Sequence, residues 1–282
     1  MLPNATVVET QMGRFLLFDA VDGITRHLRR DGQWEPVTLM VAKALVQIGD
    51  GAGHDRGCQA GGTIVDGGAN VGAFTIPTAL TFHDSHRVVS FEVQRPLYHL
   101  LCGSVALNGL DNVLVQNLAL GERMDMIEIP IPDYANDRNL GALSLDPEVR
   151  RARRDAGLGC DTDAPGVRMG QASMVRLDDF SITDLCLLKL DVEGMELPVL
   201  KGATETLKRC AYPPVLFELW DADSMPGIRA PQEALLSYLH GLGYELLICG
   251  EMAIAQHLNR RSYLRLRMEA DGLRQTFEQA ER

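Results

Sequence analysis

From Thr63 onward, short apolar runs alternate with segments of helical period, and several of the runs end on an acid. The runs fall at 63–66, 87–92, 113–117, 185–191 and 215–220, with helical patterns starting at Gly72 and covering 95–108, 197–209 and 231–242. Such alternation predicts an α/β domain whose parallel sheet is covered on both faces. Two late runs, 244–249 and 262–268, suit an antiparallel edge hairpin. The expectation is a seven-stranded, mostly parallel sheet with an antiparallel edge strand.

A chain of 282 residues, 46% of them hydrophobic, suffices for one such core with a modest appendage. Residues 1–60 read as an N-terminal extension packing on the core, with helical period over 39–48, and residues 61–282 as the main domain. Between 126 and 175 the pattern loosens, rich in Gly, Pro and Asp, and predicts an inserted loop or lid at about 133–172. Its RRARR run at 150–154 suits a solvated helix face, or a lid meeting an anionic substrate.

A formal net charge of −11 argues against a protein that binds by neutralising phosphates, so no nucleic-acid partner is expected. Six cysteines (Cys58, Cys102, Cys160, Cys186, Cys210, Cys249) lack CxxC spacing, and His83 and His86 lack a clear third ligand, so no metal site is expected from either set. Neither a signal-like start nor a membrane-length apolar run is present, which predicts a soluble cytoplasmic protein with no membrane partner.

The run TIVDGGANVG joins an apolar strand to a helix through small residues. Its glycines permit a tight turn and let a ligand lie against bare backbone. A dinucleotide site wants its last two glycines three apart, whereas Gly68 and Gly72 are four apart. Asp66 at the strand end would repel a pyrophosphate but suits a ligand amino group, which tilts the choice to S-adenosylmethionine. Glu92, ending the next strand, is the candidate for the ribose hydroxyls, and Asn117 or Ala119 for the adenine.

A lysine inside a central strand is the next anomaly. Lys189 in LLKLDVEGME needs a partner or a shifted pKa, and Glu218, the one acid of the run VLFELW, is the expected partner. Asp191 and Glu193 fall at the carboxyl end of that strand, where open α/β sheets bind ligands, although a helix N-terminus could account for Glu193 or Glu196.

VDGGANVGAFTIPTA, SFEVQRPLYHLLCGSVALNGLDNV, VRLDDF and above all LLKLDVEGMELPVLKGA resemble the FkbM family of methyltransferases. That resemblance implies a Rossmann-like class I methyltransferase fold and S-adenosylmethionine as methyl donor. It also implies a hydroxyl acceptor on a small metabolite, sugar, glycan or polyketide-type molecule. Asp66, Gly68, Asn70, Gly72 and Glu92 then belong to the cofactor site, with the adjoining Val71 and Val93, and Lys189, Asp191 and Glu193 to the acceptor side with Glu218. Trp34-Glu35 is similar to a short motif preceding the family's core, placing Glu35 near the cofactor's amino group. The chain departs from the family at Val93-Gln94-Arg95-Pro96, where Pro-Asn-x-Pro is usual.

The expected chemistry is displacement at a sulfonium methyl, with alignment as the main contribution and Asp191, Glu193 or Lys189 as base. A divalent cation on Asp191, Glu193 and Glu218 is chemically open but not expected. The rival readings are a nicotinamide-dependent oxidoreductase and a non-catalytic S-adenosylmethionine-binding module.

Overall fold

Hairpin β1 (Ala5–Thr10) and β2 (Gly13–Phe18) opens the chain, followed by α1 (Gly23–Asp31) and α2 (Pro36–Gly51). This computed structural model describes residues 2–51, 61–157, 162, 166–268 and 275–282. Cys58, Cys160 and His54 lie outside the described residues. Side chains join the hairpin to the core: Ser104 Oγ accepts from the Leu16 amide at 2.9 Å, and Asn108 Oδ1 from that of Arg14 at 2.9 Å.

The core alternates as its sequence period dictates. Strands β3 (Thr63–Gly67), β4 (Arg87–Phe91) and β5 (Val113–Gln116) are joined by α3 (Thr75–Thr81) and α4 (Arg95–Leu107). A short β6 (Ala119–Leu120), then β7 (Asp125–Pro130), α5 (Pro147–Asp155) and β8 (Met169–Val175) form a side layer ordered β6-β8-β7. Next come β9 (Leu185–Leu190), α6 (Glu196–Lys201), α7 (Thr204–Arg209), β10 (Val215–Glu218), α8 (Arg229–Gly241), β11 (Tyr244–Cys249), β12 (Met252–His257), β13 (Ser262–Met268) and β14 (Gln275–Glu281).

The main sheet has seven strands in the order β11-β12-β10-β9-β3-β4-β5, with β3, β4, β5, β9 and β10 parallel. Strand β9 is buried along its whole length, as a central strand with helices on both faces must be. The antiparallel strand is β12, one place in from the edge, and its hairpin partner is β11. Of the expected edge hairpin, 244–249 takes its place as the edge strand β11, but its partner is 252–257 and not 262–268. Chain reversal at Gly250 returns β12 between β10 and β11, and β13 pairs with β14 outside the main sheet.

Strands β7 and β8 were not legible in the loosened 126–175 region. They pair with each other, and Asp125, Met126 and Glu128 on β7 and Met169 and Gln171 on β8 are exposed, so no buried period-2 face marks them. The insertion is thus carried on an antiparallel pair with Pro130 opposite Met169.

Candidate active site

The glycine turn owes its composition to packing. At Gly68, φ is +79° and a Cβ would lie 1.8 Å from the Asp191 carbonyl oxygen; at Gly72, φ is +91° and a Cβ would meet Leu101 at 2.5 Å. Only glycine fits either place. Helix α3 consequently starts at Thr75, after the expected Gly72. Asn70 takes φ +50°, a conformation asparagine tolerates, and its Oδ1 accepts from the Val71 amide.

Pairing of β3 with β9 places Asp66 beside Lys189. Lys189 Nζ lies 3.1 Å from Asp66 Oδ1 and 3.5 Å from Asp191 Oδ2, and donates to the Gly68 carbonyl at 3.4 Å. Thr75 Oγ1 donates to Asp66 Oδ2 at 2.6 Å. The expected Lys189–Glu218 pair is therefore corrected by register: Leu216 sits beside Lys189, and Glu218 lies two residues further along β10. Burial pulls the Lys189 pKa down, but Asp66, Asp191 and Glu35 outweigh it and hold it above its ordinary value, so this ammonium does not serve as a base at neutral pH. Asp66 is fully buried on Lys189 and Thr75 and does not line the cleft, contrary to its expected contact with a ligand amino group.

Above this buried pair lies a cleft of about 280 Å³ at the carboxyl ends of the strands. Gly68, Asn70, Glu92, Val93, Ala119, Asp191, Glu193 and Glu218 line it; Val71, Gly72, Asn117 and Lys189 do not. Glu92 accepts from the Asn70 amide at 2.8 Å and the Gln94 amide at 2.7 Å, while burial pushes its pKa up to about 7. Asn117 turns its amide to the Glu92 and Val93 carbonyls and braces the loop that carries them. Phe91, Val93, Leu118, Ala119 and Leu120 make an apolar slot beside Glu92. Trp34 and Glu35 also line it, and burial together with Asp191 raises the Glu35 pKa against the pull of Lys189.

A second cavity, also about 280 Å³, shares Glu35, Asp191 and Glu218 with the first and is otherwise walled by Val37, Thr38, Lys189, Leu190, Leu216, Phe217, Cys249, Glu251 and Met252. Glu218 accepts from Trp220 Nε1 at 2.8 Å, and burial with nearby Asp191 pushes it up to about 8. Glu196 instead braces the turn after β9: its Oε1 accepts from the Val192 and Gly194 amides at 3.3 and 3.4 Å.

The insertion supplies groups that sequence reasoning missed. Gln94 Nε2 donates to the Leu140 carbonyl, Tyr134 to Gln94 Oε1, and the Leu140 amide to Asp22 Oδ1, so Arg138, Asn139, Gly141, Leu143 and Leu145 wall the cleft. Arg153 of α5 is buried: its guanidinium donates to Glu193 Oε2 and the Ala142 carbonyl and lies 4.8 Å from the centroid of Trp220. No sequence signal separated it from Arg151, which pairs on the surface with Glu148.

Among the described residues, Asp191, Glu193 and Glu218 form the one acidic group compact enough for a metal, with ligand atoms within 4.8 Å of one another. Lys189, Arg153 and Trp220 already face these three carboxylates. His83 instead faces Asp84 and Asp111 at the surface, and His86 is buried against Phe82.

This strand order and this cleft define a Rossmann-like class I methyltransferase fold. A family model described as the methyltransferase FkbM domain matches residues 66–246, and the chain belongs to that family. No curated protein matches it. Among solved structures it is similar to a methyltransferase FkbM from Methylobacillus flagellatus KT, at 15% identity and a TM-score of 0.45, over 74% of this chain and 47% of that one. The chain thus spans about half the length of that structure. M. jannaschii TYW2 in complex with AdoMet is similar at 13% identity and a TM-score of 0.37, over 90% of this chain and 84% of that one. A SAM dependent methyltransferase from Aquifex aeolicus follows at 16% identity and 0.39, over 78% and 91%. The family match carries the assignment.

Proposed function

We propose that this methyltransferase moves the methyl group of S-adenosylmethionine to a hydroxyl oxygen of a small-molecule acceptor, a metabolite, sugar, glycan or polyketide-type molecule. The observation that carries this reading is the meeting of two cavities at Glu35, Asp191 and Glu218. Neither, at about 280 Å³, has room for both molecules, so in this reading cofactor and acceptor take one each and face one another at the carboxylates.

The first cavity suits the cofactor by chemistry. Glu92 retains lone pairs for ribose hydroxyls, the slot from Phe91 to Leu120 takes a flat base, and Glu35 and Asp191 face the cationic end. When bound, the cofactor supplies a methyl activated on a sulfonium. The chain aligns the acceptor oxygen, excludes water with residues of the insertion, and takes the hydroxyl proton. As the oxygen–methyl bond forms and the sulfur–methyl bond breaks, that proton passes to a carboxylate. Glu218, on both cavities and pushed up to about 8, is the base we assign in its ionised form, so turnover should climb as pH rises toward 8, and Asp191 beside Lys189 completes the pair. Residues 1–60 act as an extension of the domain at 61–282, and 133–172 as its cover.

Calorimetry with S-adenosylhomocysteine, alongside methyl transfer to a panel of hydroxyl acceptors, tests this reading. Glu218→Gln should keep S-adenosylhomocysteine affinity and lose turnover by about 10²-fold or more. Binding of NADH without S-adenosylhomocysteine would overturn it.

A further inference from the structure

Arg153 joins two functions that lie on different parts of the chain. Its helix α5 follows the segment of the insertion whose Asn139, Gly141, Leu143 and Leu145 wall the first cavity. Its guanidinium holds that segment through the Ala142 carbonyl and, with the same planar group, holds Glu193 in the turn after β9. Trp220, which also donates to Glu218, lies against its face. An arginine suits this place because one rigid fork can serve a carbonyl, a carboxylate and an indole face together. Glu193 itself sits at φ +54°, uncommon for a residue other than glycine, so its carboxylate is held by its surroundings.

We propose that Arg153 is a positioning residue that couples cover of the cofactor cavity, whose wall includes Glu193, to Glu218 at the meeting of the two cavities, through the indole of Trp220. The segment around 139–145 is held over the cofactor cavity by the Ala142 carbonyl on Arg153, and the same guanidinium holds the Glu193 turn and the indole that steadies Glu218. Glu218 is fully placed only when the cofactor cavity is covered. This rests on the first cavity being the cofactor site.

Hydrogen exchange on the full chain, with and without S-adenosylhomocysteine, tests the coupling. In the wild type the ligand should slow exchange both at 139–145 and across α5. Arg153→Met should abolish the slowing across α5 and weaken S-adenosylhomocysteine binding by about 5- to 20-fold, and Arg153→Lys should restore part of each. Arg153→Met combined with Glu193→Gln should weaken binding no more than Arg153→Met alone, as expected for residues acting as one unit. Arg151→Met, on the exposed face of the same helix, should change neither reading. If the wild type binds S-adenosylhomocysteine but α5 exchange is unaffected, or if Arg153→Met retains the full effect, the coupling is wrong and the cofactor site stands. If the wild type does not bind S-adenosylhomocysteine, both fall.

Discussion

Lys189 and Asp66 form a buried ion pair whose worth lies in what happens when it is broken. Removing one member leaves an uncompensated charge, a loss of about 3–5 kcal/mol. Lys189→Met should therefore lower the urea-unfolding free energy by that order, and adding Asp66→Asn should recover much of it. Adding Glu218→Gln should not, because Glu218 lies two residues beyond Leu216, the residue paired with Lys189. Recovery by the Glu218 change alone would mean that β10 is out of register. Glu92 offers a second test. With its pKa near 7, the ionised form that accepts two ribose hydroxyls grows from a minor to the major species between pH 6 and 8. S-adenosylhomocysteine affinity should rise about tenfold over that interval, and Glu92→Gln should bind weakly with a flat profile. A wild-type profile as flat as the mutant's would remove Glu92 from ribose recognition.

Among elements, α5 depends on a local cap. Asp146 caps it by accepting from the Glu148 amide at 2.8 Å, and Pro147 begins the helix with its φ preset. Asp146→Ala should cost about 1 kcal/mol locally. Trypsin cleavage at Arg150, Arg151 and Arg154 should then quicken several-fold while the global unfolding midpoint barely moves, because opening of α5 is a local event. A midpoint shift as large as the change in cleavage would show instead that α5 unfolds only with the core. The turn 191–196 belongs to the same scale: its charged run read as strand-end chemistry, yet Glu196 serves the backbone there while Glu193 faces Arg153.

At the scale of the molecule, carboxyls raised by burial, Glu35 and Glu193 among them, make the protein sensitive to pH. Glu92 and Glu196 are pushed up to about 7, and Glu218 to about 8, chiefly by burial. A folded-state pKa above the unfolded value means that the folded chain holds its protons longer. The associated stability is complete below about pH 4.3, the unfolded value, and is lost as pH climbs through 7 to 8. Ligand-free protein should thus melt several degrees lower at pH 8 than at pH 5, a loss on the order of a few kcal/mol. Asp31, Asp179 and Glu278, lowered by their arginine partners, act in the opposite sense only below about pH 4. Melting curves at fixed ionic strength would settle the sign, and a midpoint rising steadily from pH 5 to 8 would mean that these carboxyls are ionised without cost.

What the sequence determined by itself was what period and local chemistry can encode. Apolar runs broken by helical segments specified the parallel core, and the acids ending 63–66 and 87–92, with LLKLDVEGME, marked the strand ends at which the cleft opens. Gly68 and Gly72 were recognisable as turn glycines, and packing on Asp191 and Leu101 makes them obligatory. Register, burial and the meeting of distant segments were decided only by the tertiary structure. A one-dimensional pattern shows that Lys189 needs a carboxylate, but the stagger of β3, β9 and β10 selects Asp66 over Glu218. Likewise RRARR shows five residues with four charges, and only the packing of α5 buries Arg153 against Glu193 while leaving Arg151 in solvent. Pairing across the chain depends on three-dimensional distance, which the sequence period does not carry.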